Sequence, residues 1–388
     1  MRTLGRIFLA GSLGAALLFF VFLPSFVDNH VNARHERLAR PASARARVLY
    51  DKLFVADLHA DSLLWGRDLL KRNDRGHVDI PRLLEARIGL QVFTVVTKVP
   101  RGINIEFNDD SSDLVIWLAL SQAWPPGTWR SLTARALCQA ERLHRVAEKS
   151  GGRFSVIESR RDLDAYVARR ADDPVVTAGL LGVEGAHALD GKLENVDTLF
   201  AAGFRMMAPT HFFDTEVGGS AHGVRKEGLT ALGRNVIRRM EDLGMIVDLA
   251  HASSATIDDV LAIASKPVVF SHGGVKGTCD NTRNLSDDQI IDIAATGGVI
   301  GIGFWETAVC GDDPASIARA IRYAADLVGS RHVGLGSDFD GAITAPFDVV
   351  GLIELVDELL DEGFGDDDIG AIMGRNVLRV MREALPAD

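Results

Sequence analysis

No Cys-x-x-Cys pair occurs in this chain, and its three cysteines, Cys138, Cys279 and Cys310, are too few to frame a disulfide-built fold. A thiolate zinc finger is therefore excluded, which leaves nitrogen and oxygen as the donors for any metal. A basic stripe is missing as well. The formal net charge is −11, and residues 1–50 carry seven Arg against Asp28 and Glu36, so the remainder stands at −16. An acidic body of that kind argues against nucleic acid as a partner. There is no internal repeat, and low complexity is confined to the Arg- and Ala-rich stretch 32–47. With 47% hydrophobic and 24% charged residues over 388 positions, the composition is that of a folded globular protein, one large α/β domain or two smaller ones.

The one long hydrophobic run lies at the start. After Arg2 and Arg6 the chain is apolar from Ile7 to Val27, and about 20 such residues suffice for a helix to cross a bilayer. Residues 1–28 are read as an uncleaved signal-anchor and 29–49 as a linker, or a first helix, ahead of a catalytic domain over 50–388. A cleaved signal peptide, with "VNA" at 31–33 as its site, is the rival; the length of the run favours the anchor. Arg34, Arg37, Arg40, Arg45 and Arg47 follow the run, which by positive-inside counting would hold the body in the cytoplasm. A basic start before an N-terminal apolar segment argues for export, and a membrane-anchored, exported body is the expectation.

From residue 54 onwards apolar runs alternate with helical patterns. The expected strands are 54–59, 90–96, 177–183, 204–209, 245–250, 267–272, 299–304 and 333–338, and helices are expected over 230–243, 254–264, 286–296 and 315–328. Continuous runs such as "LQVFTVV" and "VIGIGF" suit parallel strands buried on both faces. Ser286, with Gln289 three residues on, reads as a capping box. Eight such units suggest an α/β fold of (β/α)8 TIM-barrel type, with a doubly wound open sheet as the alternative. Residues 97–175 form a mostly helical insertion between the second and third strands, and "FSVIE" at 154–158 is a short extra strand within it.

Polar residues gather where these strands end. The first ends in "DLHAD" with His59 and Asp61, two apart and so on one side of an extended chain. Later ends give Glu184 ("GVEGAH"), His211 ("PTH"), His251 ("DLAH"), His272 ("FSH"), and Asp338 with Asp340 ("GSDFDG"). In a barrel all of these reach one face. Any single one is more simply a satisfied buried residue, but so many ionisable groups together are costly without a cation. Imidazole and carboxylate suit Zn, then Mn or Fe, and the set matches two ions sharing a carboxylate, the arrangement of two-metal hydrolases. By sequence alone Asp340 competes with Asp338 for a catalytic role, while Asp57, His187 and His222 are left out of the ligand set.

The ordered motifs "DLHAD", "GVEGAHAL", "APTHF", "GMIVDLAHAS", "PVVFSHGGV", "TRNLSDD", "HVGLGSDFDG" and "GRNVLRVM" resemble those of the membrane (renal) dipeptidase family, zinc peptidases of the amidohydrolase-like barrels, over about residues 50–385. The resemblance implies two zinc ions, one held by His59, Asp61 and Glu184, the other by Glu184, His251 and His272, with Glu184 bridging. It implies attack of a metal-bridging hydroxide on the peptide carbonyl of a dipeptide. His211 would steady the oxyanion, Arg283 would grip the substrate carboxylate, and Asp338 would carry the proton to the leaving amine. Cys279 and Cys310 fall near positions that pair in relatives, and such a pair would require export.

Trp305, with no tyrosine in "GFWETAVCG", and the loop "HFFDTEVGGSAHG" depart from the better-known mammalian members, so side-chain preference does not carry over. The polar ending "REALPAD" offers no counterpart of their C-terminal lipid anchor. A homodimer is carried as an expectation. Two alternatives remain: an amidohydrolase of N-acyl amino acids or β-lactams on the same site, and a membrane-tethered binding protein without catalysis.

Overall fold

Runs such as "LQVFTVV" have no polar face to give to water, so they are stable only between two covering layers. A computed structural model, which describes residue 14 and residues 18–35 and 41–388, has that arrangement. Among the described residues nine strands occur: β1 (Val55–Ala60), β2 (Ile88–Val96), β3 (Phe154–Val156), β4 (Thr177–Glu184), β5 (Phe204–Met207), β6 (Ile246–Val247), β7 (Val269–Phe270), β8 (Val299–Ile302) and β9 (Val333–Leu335). Every residue of β1, β2, β4, β5 and β8 is buried.

All pairings are parallel, in the order β6-β5-β4-β2-β1-β9-β8-β7. The two ends meet where Asp248 bridges Val269 and the Leu249 N–H donates to the Val269 carbonyl at 2.7 Å. An eight-stranded parallel barrel results, and the ring excludes the open doubly wound sheet. β3 stands outside the ring, paired to the start of β4. It belongs to the insertion, with the helices Val115–Ser121, Leu132–Lys149 and Arg160–Asp172.

The outer helices fall close to their expected bounds: Ala231–Leu243, Ser254–Leu261, Asp287–Ala295 and Pro314–Val328. Side-chain caps set their starts at Thr230, Ser253, Ser286 and Asp313, and the Ser286–Gln289 capping box is formed. The strands differ more. Runs expected over 204–209, 245–250 and 267–272 leave the ladder after two to four residues. Their C-terminal ends turn out of register to deliver His211, His251 and His272, and His251 itself adopts a left-handed φ of 62°.

The N-terminal expectations need one correction and one boundary. Residues 1–13 and 15–17 of the expected anchor lie outside the described residues, and among the described residues no helix is long and apolar enough to cross a membrane. Of the stretch 29–49, residues 36–40 lie outside the described residues, and the described parts pack on the body: Arg34 pairs with Asp348 at 2.9 Å and Arg45 with Asp366 at 3.2 Å. Ser43 caps the helix Ala44–Tyr50, which buries Ala46, Leu49 and Tyr50. Cys279 and Cys310 are joined, with Cα atoms 5.3 Å apart, tying the loop after β7 to the segment after β8, while Cys138 is free.

Candidate metal centre

Burial of opposite and like charges at one end of the barrel defines the site. Glu184, at the last position of β4, lies at its middle. Its Oε1 is 2.9 Å from His251 Nε2, 3.3 Å from His272 Nε2 and 3.6 Å from His59 Nε2, and its Oε2 is 3.3 Å from His211 Nε2. Asp61 Oδ1 lies 3.5 Å from His59 Nε2 on the far side, and the two facing histidines, His251 and His272, approach to 3.0 Å between Nε2 atoms. All six of these side chains are at most 5% exposed. Donor atoms of His59, Asp61 and Glu184 fall within 4.8 Å of one another, as do those of Glu184, His211 and His251.

The electrostatics are those of a cluster lacking its counter-charge. Burial, then the neighbouring Asp61 carboxylate, pushes Glu184 well above the usual carboxylate range. Burial also pushes His211, His251 and His272 well below the ordinary imidazole value, which keeps their nitrogens as neutral lone-pair donors. For His59 burial works against the proton, but Asp61, Glu184 and Asp338 outweigh it and raise the group to about 10. A divalent cation removes this conflict by holding the carboxylates ionised and the imidazoles neutral. The donor set, oxygen and nitrogen with no sulfur, fits such an ion.

Supporting contacts aim the donors. Ser271 donates its hydroxyl to Asp248 Oδ2 at 2.6 Å, so toward His272 Nδ1, 2.8 Å away, it acts as acceptor. That places the His272 proton on Nδ1 and leaves Nε2 facing Glu184. Thr94 donates to Asp61 Oδ1 at 2.6 Å and sits 3.1 Å from His59 Nε2. Asp248, Ser271 and Thr94 were not among the residues singled out from the sequence. The acid inside the apolar run "MIVDLA" was the available signal for Asp248, whose donor atom groups with those of His59 and His272 within 4.8 Å.

Arg283 lies 6% exposed, with Nη2 donating to the His272 carbonyl at 2.8 Å. Its Nη1 is buried without a hydrogen-bond partner among the described residues. Asp338 stands at the edge, Oδ1 3.8 Å from His59 Nε2, and burial pushes it up to about 8 against the opposing pull of His59 and Arg283. Gly341 makes room for it: a Cβ there would fall 1.8 Å from Asp338 Oδ1. Asp340 is turned away into an ion pair with Arg67 at 2.6 Å, and Asp57 into hydrogen bonds with Ser337 and Gln91.

His187 and His222 are buried, although their loop positions would allow solvation. The loops fold back over the centre and leave them 4% and 3% exposed, their rings 6.4 Å from His211 and 5.2 Å from His251 respectively. The Trp305 ring closes another side, 6.0 Å from His272.

The membrane dipeptidase family profile matches residues 43–387, nearly the whole barrel. The chain belongs to the membrane dipeptidase family. It is 31% identical over 348 residues to the dipeptidase aclJ of Aspergillus oryzae, covering 84% of this chain and 77% of that one. Among solved structures, a metallopeptidase from Rhodobacter sphaeroides, liganded with a phosphinate mimic of the dipeptide L-Ala-D-Ala, superposes with a TM-score of 0.69 at 25% identity, over 86% of this chain and 99% of that chain. An amidohydrolase from Pseudomonas aeruginosa shares the fold, with a TM-score of 0.67 at 20% identity, over 87% and 98% of the two chains. A dipeptidase-family metallopeptidase is therefore the enzyme class of this barrel.

Proposed function

We propose that the chain is a zinc dipeptidase that holds two ions and cleaves dipeptides bearing a free C-terminal carboxylate. The observation that carries this reading is the position of Glu184, whose two oxygens lie 2.9–3.6 Å from the Nε2 atoms of four histidines. His59 and Asp61 would hold one ion and His251 and His272 the other, with Glu184 shared. When bound, the pair of ions supplies an acidified water and a Lewis acid for the scissile carbonyl.

The chain's own groups do the rest. Arg283 directs its unpartnered Nη1 at the substrate carboxylate, and burial lowers it only to about 10, so it stays charged. His211, neutral at working pH, polarises the carbonyl and steadies the oxyanion. Asp338, near 8, takes the proton of the attacking water and returns it to the leaving amine. Trp305, His222 and the loop around Ile105, whose carbonyl faces His222 Nδ1 at 2.9 Å, exclude water from the pocket.

Release of free amino acids from L-Xaa-L-Xaa and L-Xaa-D-Xaa dipeptides, with and without chelator, tests the reading. Dipeptides are expected to be cleaved only by the metal-loaded enzyme, and a C-terminal amide in place of the carboxylate is expected to reduce kcat/KM by about 100-fold, the loss of one buried charge-assisted contact. Faster turnover of N-acyl amino acids or β-lactams than of any dipeptide would replace the proposal with the amidohydrolase alternative.

Membrane attachment through the N-terminal segment belongs to the same proposal. It is supported by the apolar run and by Leu18, Phe20, Val21, Phe22 and Phe26, all more than half exposed at its described end. Protease is expected to reach an extracellular body on intact cells, or a periplasmic one once the outer envelope is opened; protection until the inner membrane is lysed would place the body in the cytoplasm. The expected homodimer would give a solution mass of twice 41.9 kDa by light scattering.

A further inference from the structure

The turn that presents Asp338 is strained. Asp338, Asp340 and Ala342 have φ values of 59°, 63° and 60°, three left-handed non-glycine residues within five. Such a conformation is unfavourable for a residue with a Cβ and persists only where its surroundings over-determine it. Half of the surroundings come from the barrel. The Asp340 carboxylate accepts from Ser62 Oγ at 2.5 Å and from the His77 N–H at 2.7 Å, and pairs with Arg67 Nη2 at 2.6 Å. Trp65 Nε1 donates to the Asp340 carbonyl at 2.7 Å. Gly76 leaves the passage for Arg67, since a Cβ there would lie 1.9 Å from Nη1.

The other half comes from the N-terminal segment. Asn32 Oδ1 accepts the Ala342 N–H at 2.9 Å, and Asn32 Nδ2 donates to Asp28 Oδ1 at 2.9 Å. Asp28, fully buried, lies 3.3 Å from Arg67 Nε and 3.0 Å from Arg75 Nε. One guanidinium, that of Arg67, thus joins Asp28 to Asp340. The Asp340 N–H donates to His77 Nδ1 at 3.0 Å, so His77 Nε2–H donates to the Ala33 carbonyl at 2.9 Å. Asp28 and Asn32 both precede residue 43, where the family match begins.

We propose that Asp28 and Asn32 are positioning residues for the reaction: they complete the cage that holds Asp338 in its left-handed conformation, so the N-terminal segment is part of the catalytic apparatus as well as a tether. This rests on the assignment of Asp338 to proton transfer. Misplacing such a group without touching substrate or metal lowers kcat and leaves KM alone, and a displacement of about 1 Å is worth up to about 100-fold.

The test uses the full metal-loaded chain. Asn32→Ala is expected to lower kcat by about 10- to 100-fold with unchanged KM and metal content. Arg34→Ala, which breaks the segment's pair with Asp348 but no bond to the turn, is expected to keep kcat. Asp28→Asn removes the carboxylate that Arg67 Nε faces and is expected to behave like Asn32→Ala; it decides the matter if Asn32→Ala does not fold. Unchanged kcat in the folded variants, an equal loss in Arg34→Ala, or a fall in KM or metal content in place of kcat overturns the proposal. Full activity in Asp338→Asn would instead overturn the assignment beneath it.

Discussion

Asp338→Asn retains its metal and loses turnover. The amide fills the same space beside Gly341, and because the proposed ligand set does not draw on Asp338, the metal should stay bound. What the amide cannot do is accept a proton. Burial lifts the Asp338 carboxyl above its usual range in the metal-free site, the direction a dual acid and base needs. Removal of a positioned proton carrier is worth about 10²–10⁴ in kcat, whereas KM should hardly move, since on the proposed reading Arg283 holds the substrate. Metal content by atomic emission alongside steady-state kinetics checks this. If metal is lost in proportion to activity, Asp338 is a ligand and the proton must travel by another group.

The positions of the clustered side chains were legible because each stands at the end of an apolar run, and in a barrel all such ends are brought together. His59 and Asp61 meet Glu184 because β1, β2 and β4 are neighbours in the ring, an adjacency that follows from the fold class alone. Strand lengths were less legible. β6 and β7 contribute only two residues each to the ladder, since the backbone N–H groups of Ala250 and Ser271 beyond them donate to Asp248 Oδ1 and no hydropathy pattern records that. Asp248 was hidden for the same reason, one acid in a run whose apolar neighbours dominate the reading.

The cage around Asp340 was beyond the sequence altogether. Asp28 and Asp340 are 312 positions apart in the sequence. No local pattern pairs them, and Asp28 reads as the polar end of an apolar segment. The same holds for the stretch 29–49. Arg34 and Arg45 look like solvated charge until Asp348 and Asp366 are placed opposite them by the fold.

Glu184→Gln should abolish the centre itself. Its carboxylate is the only one within 3.6 Å of the Nε2 atoms of His59, His251 and His272 together, among the described residues. The substituted amide would present one neutral oxygen and an N–H₂ to those imidazoles, so at least about half of the bound metal should be lost and activity should fall by about 10³-fold or more, as expected when the group shared by two ions is removed. Stability separates this from simple damage. In the metal-free wild type burial raises the Glu184 carboxyl above its ordinary value, so between the unfolded and folded values the native state binds more protons than the unfolded chain. Stability of the metal-free enzyme must therefore fall as pH rises past about 4.3, the unfolded value. The glutamine variant carries no such charge, so its metal-free form should unfold at the same or a higher temperature near neutral pH while gaining less from added zinc than the wild type. The wild type should be stabilised by zinc, and more so as pH rises, because binding must displace the carboxyl proton. Thermal unfolding across pH, with and without zinc, reads all of this at once. A glutamine variant that still takes up two equivalents of zinc, or whose metal-free form is markedly less stable than the wild type's, would remove Glu184 from the middle of the site.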